Sequence, residues 1–166
     1  MKVTKFGSAT VAIKTGDVNI LCDPWLTDGI YYGSWCNYPP INLDKCDFND
    51  IDYVYISHVH PDHFDPKTME LLSKEIPVLI HKYHQKFLKA NIERLGFRVI
   101  ELDNAVPFQL SNTTKFSIYA ADNCDPTICG KMFGCIGPEV KGSMQLDSLC
   151  VIDDGTSILV NTNDCP

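Results

Sequence analysis

Tyr53-Val54-Tyr55-Ile56-Ser57-His58-Val59-His60-Pro61-Asp62-His63-Phe64-Asp65 is the stretch whose reading decides the fold. Tyr53 to Ile56 is a short apolar run of the kind that forms a buried strand. It stops at Ser57 and opens into His58, His60, Asp62 and His63, so three of the five histidines fall within six residues. Pro61 has no backbone donor and a fixed φ, which rules out a regular helix or a central strand through the cluster. The chain turns there, and the four side chains are close enough along it to converge on one point. Imidazole nitrogens and a carboxylate oxygen suit zinc, iron, manganese or nickel. So dense a polar set at the end of a buried strand is costly to leave unpaired. The stretch therefore reads as a metal site.

The rest of the composition narrows the class. At 166 residues the chain is long enough for one domain, taken as 1–166, with a real core. The net charge is −7 and no run of Lys or Arg occurs, which argues against nucleic acid as an obligatory partner. No apolar stretch approaches the length of a membrane span. Met1 to Phe6 lacks the apolar core of a signal peptide, so the expectation is a cytoplasmic protein with no membrane partner. Eight cysteines are present without a Cys-X-X-Cys pair, which argues against a zinc ribbon or a thioredoxin-type motif. Cys124, Cys129 and Cys135 share a Gly-rich stretch and are read either as reduced structural thiols or as a second binding site.

Upstream, Val3–Phe6, Thr10–Lys14 and Val18–Cys22 are rich in β-branched residues and predict a meander of three strands. The third strand runs into Asp23-Pro24, a turn signal. Asp23 is a candidate to orient a ligating histidine rather than to bind metal itself. Residues 29 to 50 hold Tyr31, Tyr32, Trp35 and Tyr38 in a long loop, read either as a wall beside the metals or as a flap packed on the sheet.

Downstream, Asp65-Pro66 is an N-cap followed by proline at the first helical position, predicting a helix to about Ser73 with Met69 and Leu72 inward. Val78–Ile80 predicts a strand and Tyr83–Leu95 a helix stopped by Gly96, with Phe87, Leu88, Ile92 and Leu95 near helical spacing. His81 and His84 read as surface or capping residues at its start. Phe97–Leu102 predicts the next strand, completing a β-α-β-α-β order that lays helices on a sheet. Val106–Leu110 with Lys115–Ala120, and Leu146–Ile152 with Ser157–Asn161, predict two hairpins. The second turns at Asp153-Asp154-Gly155. The last strand runs into Asn161-Thr162-Asn163-Asp164.

The His-X-His-X-Asp-His run resembles the signature of the metallo-β-lactamase superfamily. The resemblance implies an α/β (α+β) fold, the αββα sandwich, with two divalent metal ions as cofactors, zinc first and iron or manganese as alternatives. It puts His58 and His60 on one metal, Asp62 and His63 on the other, and Asp164, which follows a hairpin as in the family, between them. The family has a further His upstream of that Asp. None follows His84 in this chain, and Asp147 stands in about its place as an oxygen ligand, with Asp122 as a weaker candidate. The sequence ends after roughly the first half of the family fold. A second chain or a missing C-terminal half is therefore a possible partner. Asp23 to Leu26, Gly33 to Trp35, Asp122 to Asp125, Asp147-Ser148 and Asn161 to Cys165 further resemble the CMP-N-acetylneuraminate hydroxylase-like and L-ascorbate-6-phosphate lactonase-like branch. The Cys-X-His and Cys-X-X-His pairs of a Rieske domain do not occur.

The resemblance implies a metal-dependent hydrolase acting on an ester, lactone or phosphoester of a small molecule, such as a sugar phosphate or a sugar nucleotide. Asp62 would be both ligand and catalytic proton acceptor. Two rival readings stand beside it. One is the metal domain of a hydroxylase-like oxygenase system, and the other is a non-catalytic fragment.

Overall fold

Three short strands open the chain as an antiparallel meander, as their β-branched residues predict. They are β1 (Lys2–Lys5), β2 (Val11–Lys14) and β3 (Asn19–Cys22), with Val3 opposite Ile13 and Val11 opposite Cys22. Thr15 closes the second turn, its hydroxyl accepting from the Val18 N–H at 3.0 Å. The structure is a computed structural model and describes residues 1–43, 48–120 and 147–164. Asp122, Cys124, Asp125, Cys129 and Cys135 lie outside the described residues.

After β3 the chain makes a four-residue helical turn, α1 (Ile30–Gly33), whose Tyr31 and Tyr32 adopt left-handed backbone. It then changes habit. β4 (Tyr53–Tyr55), β5 (Val78–His81) and β6 (Val99–Leu102) run parallel to one another, and β4 pairs in parallel with β3. The crossovers are α2 (Pro66–Glu70) and α3 (Phe87–Arg94). The result is a six-stranded mixed sheet in the order β1-β2-β3-β4-β5-β6. A second, antiparallel sheet follows in the order β10-β9-β8-β7, built from β7 (Phe108–Gln109), β8 (Lys115–Ala120), β9 (Ser148–Asp153) and β10 (Ile158–Asn161).

Strands β3, β4 and β5 are buried on both faces, which is why they read as continuous apolar runs. Leu21, Val54, Val78 and Ile80 point to the helices and meet Met69, Leu72, Leu88 and Ile92. Their alternates, Ile20, Cys22, Tyr55 and Leu79, point to the second sheet and meet Phe116, Ile118, Cys150 and Ile152. The layers are thus helix, sheet, sheet, which among the described residues are three of the four expected. Cys22 and Cys150 are free thiols buried in the inter-sheet layer.

Four local expectations need correction. The first helix ends at Glu70 rather than near Ser73, because Leu71 and Leu72 bond back three residues to Thr68 and Met69 and tighten the turn. Met69 and Leu72 are still buried. The second helix starts at Phe87 rather than Tyr83. Tyr83 bonds its N–H to the His81 carbonyl and sends its hydroxyl inward to the Ser57 carbonyl, which holds residues 83–86 out of helical register. Phe87, at the first turn, is exposed instead of inward, and His81 is buried rather than on the surface. Among the described residues no helix is long and apolar enough to cross a membrane.

The end of the His cluster is fastened by Asp65. One oxygen accepts from the Thr68 N–H at 3.0 Å, the Thr68 hydroxyl at 2.7 Å and the Thr27 hydroxyl at 2.5 Å. The other takes the Lys67 N–H at 3.3 Å. Thr68 in turn accepts from the Leu26 N–H at 2.9 Å, tying the segment after β3 to α2. Removing this buried cap in Asp65→Ala should cost about 2–3 kcal/mol, the loss of a cap plus stranded donors. Urea unfolding checks it, and Asp65→Asn should recover part of the loss.

Candidate metal centre

Every candidate ligand among the described residues is delivered to one end of the sandwich. β4 ends at Tyr55, and the loop that follows carries His58, His60, Asp62 and His63. Asp147 immediately precedes β9, and Asp164 follows β10 by a short turn in which Asn163 is left-handed. Because β9 and β10 form a hairpin, the start of one and the end of the other fall side by side, with Cys150 opposite Asn161.

The side chains form two overlapping sets. In the first, His58 Nε2 lies 2.9 Å from His60 Nδ1 and 3.4 Å from Asp147 Oδ1. In the second, His63 Nε2 lies 3.4 Å from Asp62 Oδ2 and 3.2 Å from Asp164 Oδ2. Asp164 also faces the first set, 4.0 Å from His58 Nε2. The trios His58, His60, Asp147 and His58, His63, Asp164 each place one ligand atom per residue within 4.8 Å of the others. His58 and His63 form a buried floor, while Asp164 stands half exposed at the rim, so the site is open on one side.

Asp23 occupies the position expected of an orienting residue. It is fully buried, accepts from the Ser57 N–H at 2.7 Å, and faces His63 Nδ1 at 3.3 Å. That leaves His63 Nε2 toward Asp62 and Asp164, the arrangement in which a carboxylate fixes the tautomer of a ligating imidazole. Its backbone is left-handed, with φ at 46°. Strain of this kind persists where the surroundings over-determine it. Here Thr10 donates to the Asp23 carbonyl at 2.9 Å, and the Asp23 N–H reaches the Tyr55 carbonyl at 2.8 Å.

Electrostatics distinguish the ligands. Burial, with His63 and His60 alongside, pulls His58 down to about 3, so it is neutral and offers a lone pair. Burial also opposes a charge on His63, but Asp23 and Asp62 outweigh it and push His63 up to about 10. Burial raises Asp23, with His63 pulling the other way. Asp62 feels the same burial, yet bonds to His63 and Tyr31 hold it down to about 2. Burial and the neighbouring Asp164 raise Asp147.

The donor set fits a cation. Asp147 Oδ1 is buried and has no hydrogen-bond partner among the described residues, while its nearest neighbour is an imidazole nitrogen. Three imidazoles and three carboxylates around one opening are the ligands of zinc, iron or manganese.

Some site contacts depend on long-range packing. Tyr31, from the aromatic loop read either as a wall beside the metals or as a flap, donates to Asp62 Oδ1 at 2.9 Å. Gly29 and Gly33, both at positive φ, frame this sharp turn. Ser148 donates to the Ser57 carbonyl at 2.8 Å and touches the Tyr55 hydroxyl at 2.8 Å, a pairing that depends on sheet packing.

The chain belongs to the metallo-β-lactamase superfamily: the β-lactamase superfamily domain matches residues 2–125. Its relatives include several cytidine monophosphate-N-acetylneuraminic acid hydroxylases. It is 28% identical over 171 residues to the cytidine monophosphate-N-acetylneuraminic acid hydroxylase of Asterias rubens, covering 99% of this chain and 23% of that protein. It is 31% identical over 167 residues to a protein of Mycobacterium tuberculosis named as a Rieske 2Fe-2S iron–sulfur protein, covering 99% of this chain and 30% of that protein. The chain thus spans less than a third of either relative. Among solved structures, the isothiocyanate hydrolase from Delia radicum gut bacteria shares the fold, with a TM-score of 0.70 at 15% identity over 96% of this chain and 60% of that one.

Two outcomes test the geometry. Asp23→Asn keeps the shape but leaves His63 without its anionic partner. Metal affinity should fall by about 10–100-fold with the fold intact, read by competition with a chromogenic chelator. His63 is protonated below about 10, so a metal at Nε2 must displace that proton. Affinity should therefore rise by about tenfold per pH unit through neutrality, with proton release seen by calorimetry in two buffers.

Proposed function

We propose that this chain carries a two-metal hydrolytic centre acting on an ester, lactone or phosphoester of a small molecule. The observation that supports it best is two donor groups of imidazole and carboxylate that adjoin at an open end of the sandwich, with Asp164 facing both His58 and His63. His58, His60 and Asp147 would hold one ion, Asp62 and His63 the other, and Asp164 would lie between. Bound there, two divalent ions supply a water with a pKa near ~7 and positive charge opposite a developing oxyanion.

The chain's own residues do the rest. Asp23 and the Ser57 hydroxyl, 3.3 and 3.2 Å from His63 Nδ1, occupy that nitrogen's side of the ring and so aim Nε2 at the opening. Asp62 stays ionised at neutral pH and can take a proton from the attacking water in passing, while Tyr31 fixes its other oxygen. With a net charge of −7 the protein repels anionic substrates except at its cations, so recognition of a phosphate or carboxylate falls to the metals and to local Lys residues.

A second reading is supported by a specific feature. Asp147 stands where the family has a histidine, and an oxygen donor favours a harder ion than zinc. With relatives named as a hydroxylase and a Rieske protein, that favours iron and the metal domain of an oxygenase system. The experiment compares zinc-, manganese- and iron-loaded protein on nitrophenyl esters, lactones and phosphodiesters, with oxygen uptake followed under a reductase. The hydrolytic reading expects turnover that drops by about a hundredfold or more in Asp62→Ala. Oxygen uptake without hydrolysis would replace it with the second reading.

A further inference from the structure

Beside the metal centre lies an open cleft of about 570 Å³ that the mechanism does not use. Lys5, Trp35, Asn37 and Tyr38 are among its lining residues. Two of these are large rings left in water, Trp35 at 49% and Tyr38 at 97% exposure. Aromatic faces grouped in a concave surface are what ligand sites are built from. Lys5 makes no ion pair among the described residues. Asn37 is only 7% exposed, and its Nδ2 is a buried donor with no hydrogen-bond partner among the described residues.

At one edge of the cleft a Cβ on Gly7 would come within 2.6 Å of Asn37 Oδ1, so any larger residue there must displace the Asn37 amide. The cleft wall reaches the metal site through two packed rings. Trp35 packs on Tyr31 with ring centroids 4.8 Å apart, and the hydroxyl of Tyr31 ends on Asp62. One tyrosine ring therefore separates the cleft from a candidate metal ligand.

We propose that this cleft is the substrate's docking subsite: it takes the non-reacting part of a small anion that carries a ring. The ring lies on Trp35 and Tyr38, and the negative group meets Lys5. The role of the subsite in catalysis rests on the hydrolytic reading, whereas binding in the cleft does not. An anchor next to the metals holds the reacting group in place, and Tyr31 couples cleft occupancy to the position of Asp62.

The probe is naphthalene-2-sulfonate, a ring-bearing anion that is a poor metal ligand, titrated calorimetrically into metal-loaded protein. 2-Naphthol supplies the ring without the charge, and methanesulfonate the charge without the ring. The proposal expects naphthalene-2-sulfonate to bind, and each control to bind at least about tenfold more weakly. Lys5→Met and Tyr38→Ala, both at exposed positions and away from the core, should each weaken the probe by about tenfold with metal content unchanged. His60→Ala should leave the probe's affinity in place, so the cleft stands even where the hydrolysis assays fail. Unchanged affinity in both cleft variants, no binding by the wild type, or loss of binding only in His60→Ala would overturn the proposal.

Discussion

Ser148 is the residue on which the convergence of the site depends. It opens β9, one position after Asp147, and sits fully buried against the other sheet. Its hydroxyl donates to the Ser57 carbonyl, and its own carbonyl accepts from the Tyr55 hydroxyl at 2.9 Å and from Asn163 Nδ2 at 3.1 Å. Three segments that share no sequence neighbourhood are thus pinned at one point: the end of β4, the start of β9 and the turn after β10. Each delivers at least one carboxylate or imidazole to the opening. Polar groups this deep must be paired, because an unpaired one costs about 1–3 kcal/mol. That requirement leaves few ways to seat the second sheet on the first, and so few positions for Asp147 and Asp164 relative to His58 and His63.

The same site works against the fold electrostatically. Three imidazoles and four carboxylates, with Asp23 included, meet where two core layers run out. Some of the mutual cost is offset internally. His63 carries a proton between Asp23 and Asp62, and His58 stays neutral. The remainder, including the Asp147 oxygen that has no hydrogen-bond partner among the described residues, is what a pair of cations would relieve. Left-handed backbone at Asp23 and Asn163 adds local strain beside the ligands. Polar crowding, strain and an open rim at one place are hard to explain by stability alone. They are the features expected where a fold gives up stability to hold a ligand.

The parts of this arrangement that are written locally were legible in the sequence. The meander, the parallel β-α-β-α-β order and the His cluster follow from residue patterns a few positions long. Asp65-Pro66 marked a helix start, and the Asp65 side chain does cap it. Asp23 and Asp147 were nominated from position and resemblance, and the structure brings both to the imidazoles. What the sequence could not reveal depends on pairings across the sandwich. Tyr31 reaches Asp62 only because a loop with left-handed tyrosines folds over the cluster. Ser148 looks like any strand serine until the second sheet is seated. Tyr83 was expected inside a helix, but its hydroxyl is drawn to the Ser57 carbonyl and the helix starts later. Long-range hydrogen bonds override local propensity in each case.

The central claim is that six side chains of this chain form two adjoining metal positions. Anomalous diffraction from crystals of metal-loaded protein, collected on both sides of the metal's absorption edge, tests it most directly. The account predicts two peaks at the open end of the sandwich. One should be within ligand distance of His58, His60 and Asp147, the other of Asp62 and His63, with Asp164 reaching both. A single peak, or peaks away from these side chains, would contradict it.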